Sequence, residues 1–233
     1  MSFDPLPAAA DITALLLDAG NTLVFLEFEA VAEVVRRRGA AVSAATLRNA
    51  EASAKRRYQR LLHDGASHED GWRLYMRTLL QTAGVASDAS AVDALREEHD
   101  RFNLWRRVPT DLVPALDRAQ AAGLRLGVVS NSEGALDALF QRVGLGGRFE
   151  VVVDSALEGV RKPDPVIFQR ALSRMEVAPN EVIYAGDIPD VDVDGARAAG
   201  LHAALIDPAG HFEQHQGARF ASVAGLIESL LRG

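Results

Sequence analysis

The sequence predicts an α/β fold, in which a parallel, Rossmann-like sheet has helices on both faces and carries an inserted all-helical domain. The first apolar segment, Ile12 to Leu17, is short and does not alternate with polar residues, which is typical of a strand buried on both faces. In the C-terminal half, similar segments alternate with helical patterns, as expected of a parallel sheet. A long stretch between these two parts has helical periodicity alone, which indicates an insertion.

The inserted stretch contains no convincing strand and predicts about four helices. These are FEAVAEVVRRRG from Phe28, SAATLRNAEASAKRRYQRLLH from Ser43, HEDGWRLYMRTLLQTAG from His68 and SDASAVDALREEHDRFNLW from Ser87. We therefore predict a first core segment over residues 1–26, a helical cap over 27–107 and the remaining sheet over 108–233. Because the insertion follows the first strand directly, we expect it to cover the carboxyl end of that strand.

The C-terminal part predicts alternating helices and strands. Thr110 is expected to cap a helix that runs to Gly123. The predicted strands that follow are LRLGVVSN, FEVVVD, EVIYAGD and HAALID. The predicted helices are SEGALDALFQRVG, PVIFQRALSRM, DVDGARAAG and ASVAGLIESLLR. The tract HFEQHQGAR, which begins at His211, is expected to form a loop.

The composition excludes several classes of function. The chain has 233 residues, of which 48% are hydrophobic, and this suffices for a sizeable core. The net charge of -7 argues against nucleic-acid binding, and the lack of cysteine excludes disulfides and thiolate chemistry. The N-terminal segment MSFDPLPAAA lacks the pattern of a signal peptide, and no apolar run is long enough to span a bilayer. We expect a cytoplasmic protein without a membrane partner, whose oligomeric state the sequence leaves open.

Polar residues follow the predicted strands, and ligands bind at the carboxyl ends of strands in open α/β sheets. These residues are Asp18, Ser130, Asn131, Arg161, Lys162, Asp187, Asp190, Asp192 and Asp194. Neighbouring carboxylates repel each other, and a hard cation such as Mg²⁺ relieves the repulsion. A lysine and a serine hydroxyl add partners for phosphate oxygens. The sequence therefore predicts a phosphate site with a metal and a carboxylate that can attack phosphorus.

Four segments in this order resemble the motifs of the haloacid dehalogenase-like (HAD) hydrolases with a helical, C1-type cap. They are LLLDAGNTL, GVVSN, GVRKPDPVIF and YAGDIPDVDVDGARAAG. The resemblance covers essentially the whole chain and implies a catalytic nucleophile, Asp18, assisted by Lys162. It implies phosphate or substrate binding by Thr22, Ser130, Asn131 and Lys162. It also implies a Mg²⁺ site made by Asp18, the Gly20 carbonyl and Asp187, with Asp192 in support.

The sequence departs from the family at Gly20, because the phosphatases carry a second aspartate there that protonates the leaving oxygen and then activates water. We favour a Mg²⁺-dependent phosphatase of a small phosphorylated metabolite, in which another group supplies the proton or the leaving group needs little help. A C–halogen hydrolase of the family would have an aromatic residue at this position and lack the fourth motif. A C–P hydrolase would have alanine and use a cap lysine, whereas the segment around Lys55 does not resemble that cap motif. A phosphate-binding relative with low activity is the third alternative.

Each residue taken alone has a simpler interpretation. An aspartate at a strand end more often caps the next helix, and a lone lysine is usually a surface charge. The run of arginines from Arg36 to Arg38 is typical of a solvated helix face. His211 and His215 lie four residues apart, but no third ligand accompanies them, so no metal site is expected there.

Overall fold

The structure is a computed structural model that describes residues 6–7, 9–63 and 67–232. These residues divide into two compact units: residues up to Phe25 together with those from Arg107 onward, and Leu26–Arg106. Residues 1–5, which form part of the N-terminal segment considered above, lie outside the described residues. Among the described residues, every helix is too short or too polar to traverse a lipid bilayer.

The described residues form eight strands. They are β1 Ala14–Leu17, β2 Phe25–Leu26, β3 Trp105–Arg107, β4 Arg125–Ser130, β5 Val151–Asp154, β6 Val182–Gly186, β7 His202–Ile206 and β8 Ala218–Phe220. Six of them build one sheet in the order β5-β4-β1-β6-β7-β8, and every neighbouring pair is parallel. The predicted parallel α/β sheet is therefore confirmed.

The described residues also form ten α-helices. They are α1 Phe28–Arg37, α2 Ala44–His63, α3 His68–Thr82, α4 Ala89–Arg101, α5 Leu112–Ala121, α6 Leu136–Val143, α7 Ser155–Glu158, α8 Pro165–Met175, α9 Asp194–Ala198 and α10 Val223–Arg232. On one face of β1, Ala14 and Leu16 pack in a cluster with Phe168 of α8. Leu15 and Leu17 are also fully buried, and their side chains point to the opposite face of the strand. Burial on both faces explains why the strand reads as an unbroken apolar run.

The unit Leu26–Arg106 is helical, as the periodicity predicts. Helices α1 to α4 enclose their own apolar cluster, which includes Leu47, Trp72, Met76 and Leu95. Both connections to the rest of the chain pass through β2 and β3, which pair in a two-stranded sheet. The insertion thus has a core of its own, separate from that of the six-stranded sheet.

The sequence analysis missed three short strands, β2, β3 and β8. The segment FNLW was assigned to the fourth helix, but α4 ends at Arg101 and Phe102 has an extended backbone, with φ -155° and ψ 111°. The chain then enters β3 at Trp105. The tract assigned to a loop from His211 contains the start of β8 at Ala218. Strands of three residues carry too few positions for a periodic pattern to show.

Two helix starts also differ from expectation. Thr110 does not cap α5, because that helix begins at Leu112 and the preceding Asp111 makes no side-chain capping hydrogen bond. Helix α6 begins at Leu136, four residues after the Ser132 at which the predicted helix starts. The intervening residues belong to a loop, and Gly134 in that loop has a positive φ of 87°.

The register of the three central strands determines where their polar residues emerge. Leu17, the last residue of β1, pairs with Val128 of β4 and with Ala185 of β6. Asp18, which follows Leu17, therefore lies at the same edge of the sheet as Ser130 and Asp187. This edge holds the carboxyl ends of the strands, where α/β folds place their ligands.

Candidate active site

Asp18 begins a tight turn directly after β1. Its backbone N–H donates to the Ala185 carbonyl at 2.8 Å, which extends the pairing with β6 by one residue. The turn closes through hydrogen bonds from Asn21 N to Val24 O at 2.7 Å and from Leu23 N to Ala19 O at 2.9 Å. Asn21 has a φ of 56°, a left-handed conformation that asparagine tolerates better than most residues. The turn keeps the Asp18 carboxylate at the edge of the sheet.

The Lys162 ammonium group forms the centre of the site. Its Nζ donates to Asp18 Oδ1 at 2.7 Å, to Asp192 Oδ1 at 2.6 Å and to the Tyr184 hydroxyl at 2.6 Å. All four side chains are buried. An ammonium group has three N–H donors, so these three contacts satisfy it completely. We call these four residues the lysine cluster.

The loop that carries Lys162 is attached to the loop after β4. The Asn131 side chain donates from Nδ2 to the Lys162 carbonyl at 3.0 Å and accepts at Oδ1 from the Lys162 N–H at 2.8 Å. Asn131 was predicted to bind substrate. Since its side chain pairs with this backbone, we propose that it positions Lys162 instead.

The two oxygens of the Asp18 carboxylate have different surroundings. Ser130 Oγ donates to Oδ1 at 2.8 Å, the same oxygen that accepts from Lys162. Both hydrogen bonds that this side chain accepts from the described residues thus end on Oδ1, which leaves Oδ2 for another ligand. The Thr22 hydroxyl, four residues further on, is buried and makes no hydrogen bond to any residue in the described ranges. A buried hydroxyl of this kind suits a residue that contacts a bound ligand.

Burial and neighbouring charges shift the pKa values of three residues of the lysine cluster. Burial raises the pKa of Asp18, the Lys162 ammonium lowers it, and the carboxylates of Asp192 and Asp187 raise it, to about 7 in balance. Burial lowers the pKa of Lys162, but the attraction of Asp18 and Asp192 outweighs burial and raises that pKa above its ordinary value. Burial also raises the pKa of Tyr184 well above its ordinary value. Lys162 and Tyr184 therefore stay protonated. An additional positive charge near Asp18 would lower the pKa of its carboxyl group and so keep it ionised.

The carboxylates of Asp18, Asp187 and Asp192 suit a divalent cation. One oxygen from each lies within 4.8 Å of the others, and all three residues are buried. When the three carboxylates are ionised and Lys162 is protonated, these four side chains carry two negative charges in excess. A divalent cation would neutralise that excess. Oxygen ligands of this kind are those that Mg²⁺ prefers. The residues present therefore fit the metal that the resemblance implies.

Asp192 differs from the other two carboxylates because the protein uses both of its oxygens. Oδ1 accepts from Lys162 and from the Tyr184 hydroxyl, the latter at 3.1 Å, and Oδ2 accepts from the Ile188 N–H at 2.9 Å. These contacts favour a supporting role for Asp192, as the resemblance implies. Asp190 and Asp194, on either side of it, are exposed.

Two glycines in the site have opposite surroundings. A Cβ at Gly186, the last residue of β6, would lie 2.3 Å from Asp192 Cγ. Gly186 is therefore what lets Asp192 approach the strand. A Cβ at Gly20 would meet nothing within 4 Å, so the space beside this residue is open.

The structure brings together most of the residues expected at the site. Asp18, Ser130, Lys162, Asp187 and Asp192 lie at one sheet edge, while Thr22 and Gly20 belong to the turn after β1. Three contributors were missed by the sequence analysis. They are Tyr184, Gly186 and Asp154, which accepts hydrogen bonds from the N–H groups of Gly134 and Ala156 and so holds the loop after β4. A tyrosine in the middle of a strand buried on both faces was the available signal, because its hydroxyl needs a buried partner.

Comparison with known proteins identifies the family. The sequence profile of the haloacid dehalogenase-like hydrolases matches residues 12–200, which is most of the chain. The chain belongs to this family. Its match includes Asp18, Lys162 and Asp187, the residues on which the resemblance depends.

Individual relatives add detail. The haloacid dehalogenase-like hydrolase domain-containing protein 3 of Xenopus laevis is 30% identical over 181 residues, which is 74% of each chain. The phosphoserine phosphatase of Thermus thermophilus is 35% identical over 136 residues, or 56% of this chain and 52% of that enzyme, so the match spans about half its length. The HAD-hydrolase YfnB from Bacillus subtilis, solved with bound magnesium, has a TM-score of 0.71 at 17% identity and covers 94% of this chain and 98% of its own. At that identity the likeness shows a shared fold.

The surroundings of the two glycines predict opposite effects of alanine. Gly186→Ala should lower the free energy of unfolding by about 1–3 kcal/mol, because the methyl group displaces Asp192. The matched control Gly20→Ala should change it by no more than about 0.5 kcal/mol. Chemical denaturation of both variants measures these values. Equal effects of the two substitutions would contradict the assignment of Gly186 as the residue that admits Asp192.

Proposed function

We propose that the protein is a Mg²⁺-dependent phosphatase that hydrolyses a small phosphomonoester through an aspartyl-phosphate on Asp18. The observation that carries this proposal is the lysine cluster, in which a buried carboxylate and a protonated ammonium group meet at the ligand-binding edge of the sheet. The family supports a hydrolase. The phosphoserine phosphatase and the glyceraldehyde 3-phosphate phosphatase among the relatives support a phosphorylated small molecule as substrate.

In the first step, a carboxylate oxygen of Asp18 attacks phosphorus. An O–P bond to Asp18 forms, and the bond between phosphorus and the substrate oxygen breaks, with its electron pair leaving on that oxygen. In the second step, water attacks the phosphoryl group, which releases inorganic phosphate and regenerates the carboxylate.

Thr22, Lys162 and Ser130 would contact the phosphoryl oxygens, and Lys162 and Ser130 would do so by redirecting the hydrogen bonds that they donate to Asp18 Oδ1. The Lys162 ammonium lies 2.7 Å from Asp18, so a phosphate next to this carboxylate is within its reach. Because burial excludes water, its charge stabilises the transferred group more strongly than it would at the surface. Thr22 supplies a hydroxyl that has no partner among the described residues.

The metal site of the proposal consists of Asp18, Asp187 and the Gly20 carbonyl, with Asp192 in support. When bound, Mg²⁺ would neutralise the excess negative charge of the carboxylates and polarise the phosphate. Asp192 contributes by fixing Lys162 at 2.6 Å and the Ile188 backbone at 2.9 Å. The helical unit, which is inserted shortly after the nucleophile in the chain, would serve as the cap.

Gly20 limits which leaving groups depart rapidly. The position carries no side chain, and the neighbouring space is open. General acid catalysis is typically worth about 10²–10⁴-fold in rate, and a leaving oxygen of low basicity needs it least. The proposal therefore favours substrates whose leaving group departs without a proton from residue 20, such as acyl and aryl phosphates.

Release of inorganic phosphate from phosphomonoesters, acyl phosphates and aryl phosphates tests the reaction. We expect release in the presence of Mg²⁺ and none with a chelator. Asp18→Asn should abolish turnover because the amide is not a nucleophile toward phosphorus. Asp190→Asn removes an exposed carboxylate in the same sheet-edge region and should leave turnover unchanged. Turnover that survives in Asp18→Asn, or that ignores the chelator, would contradict the proposal.

Restoring a carboxyl group at position 20 tests the role of the missing acid. Because the space there is open, Gly20→Asp should fold normally and accelerate hydrolysis of alkyl phosphates by up to about 10²–10⁴-fold. Aryl phosphates with weakly basic leaving groups should gain much less. Gly20→Asn has the same shape without an acid and should give no gain.

Phosphate release by the native protein and by Gly20→Asp distinguishes a phosphatase from the alternative functions. If the native protein and Gly20→Asp both release no phosphate from any substrate, the phosphatase assignment is wrong. If only Gly20→Asp is active, the scaffold can transfer phosphate, but the native protein has a different reaction or a binding role.

A further inference from the structure

Tyr184 stands out because it is a polar residue in the middle of β6, one of the two strands that flank β1. The residue is fully buried, and its ring packs edge-on against Phe168 of α8, with centroids 4.9 Å apart and an interplanar angle of 87°. This packing fixes the ring. The hydroxyl is thereby held at a fixed position next to Lys162 Nζ.

The Tyr184 hydroxyl accepts one hydrogen bond and has one proton to donate. It accepts one N–H from Lys162 at 2.6 Å. Its own proton goes to the Val129 carbonyl at 2.9 Å or to Asp192 Oδ1 at 3.1 Å. Val129 lies in β4, next to Ser130, so the hydroxyl connects the ammonium group to the strand that carries Ser130.

The contact between Tyr184 and Lys162 matters because the ammonium group has three N–H donors, each of which needs a partner when it is buried. Two of its three N–H groups go to the carboxylates of Asp18 and Asp192, and the third goes to Tyr184. The two carboxylate contacts already set the rotation of the ammonium group about the Cε–Nζ bond, but without the hydroxyl its third N–H would be a buried donor with no partner. The hydroxyl satisfies this donor and holds Nζ from a third side, so that the ammonium group keeps its position and orientation next to Asp18.

We propose that Tyr184 is a positioning residue that orients the Lys162 ammonium toward Asp18, and hence toward the phosphoryl group that Asp18 receives. The catalytic part of this inference rests on the proposed phosphatase function. The structural part, which is the orientation of Lys162, does not. A ring that only fills the core would leave Lys162 and the reaction unaffected when its hydroxyl is removed.

Tyr184→Phe is the variant that isolates the hydroxyl, since it retains the ring that packs on Phe168. The matched control is Tyr75→Phe, which removes another buried tyrosine's hydroxyl, bonded to Glu51 at 3.0 Å in the helical unit. The chain contains two lysines, Lys55 and Lys162, so labelling with ¹⁵N-lysine in a Lys55→Arg background gives a single side-chain ammonium signal.

The first measurement follows this signal by NMR and needs no substrate. In the protein with native Tyr184 we expect an observable, slowly exchanging Lys162 ammonium, with a nuclear Overhauser effect from its protons to the ring of Tyr184. Tyr184→Phe should accelerate proton exchange roughly tenfold, because one N–H loses its partner, and Tyr75→Phe should leave it unchanged. Exchange that is equal in Tyr184→Phe and in the native protein would overturn the proposal. Should Tyr184→Phe not fold, absence of the Overhauser effect in the native protein would overturn it as well.

The second measurement uses the best phosphate substrate found. Tyr184→Phe should lower kcat roughly tenfold and change KM less than about twofold, because the hydroxyl contacts Lys162 and not the substrate. An unchanged kcat would overturn the catalytic role. If no substrate is hydrolysed by the native protein, the proposed function fails, while the NMR result still decides whether Tyr184 orients Lys162.

Discussion

A buried ammonium group holds the candidate site together. Lys162 contacts Asp18, Asp192 and Tyr184, and its charge balances part of the negative charge of the two buried carboxylates. An isolated buried charge costs several kcal/mol, and pairing with hydrogen-bonding partners offsets this cost. The cluster is therefore interdependent: loss of Lys162 would leave carboxylates that repel each other, and loss of a carboxylate would leave the ammonium under-compensated.

The topology of the sheet places the partners of Lys162 close together. Strand β1 lies between β4 and β6, and the register aligns Leu17 with Val128 and Ala185. Parallel strands end at a common edge, so residues far apart in the chain meet there. Close approach also requires small residues, and Gly186 leaves the room that Asp192 occupies.

The sequence predicted the parts of this arrangement that depend on periodicity and strand order. Asp18, Ser130 and Asp187 follow apolar segments, and the parallel sheet brings such positions together; Lys162 was recognised through the motif resemblance. Contacts between particular side-chain atoms could not be predicted from the sequence. The segment IYAGD does not indicate that the Tyr184 hydroxyl contacts Lys162, because that contact depends on the loop between α7 and α8. The pairing of Asn131 with the Lys162 backbone depends on the same loop.

Short or irregular elements were missed for a related reason. Strands β3 and β8 have three residues each, and their place in a sheet is decided by partners elsewhere in the chain. Thr110 fits the composition of a helix cap, but α5 begins two residues later, because local sequence specifies the ends of helices only to within a few residues.

The central claim is that Asp18 receives the phosphoryl group. Its most direct test is mass spectrometry of the protein quenched in acid during turnover of an acyl or aryl phosphate with Mg²⁺, because acid slows hydrolysis of an aspartyl-phosphate. The account predicts a phosphoryl adduct on the peptide that contains Asp18 and on that side chain. Phosphate release without such an adduct, or an adduct on another residue, would contradict it.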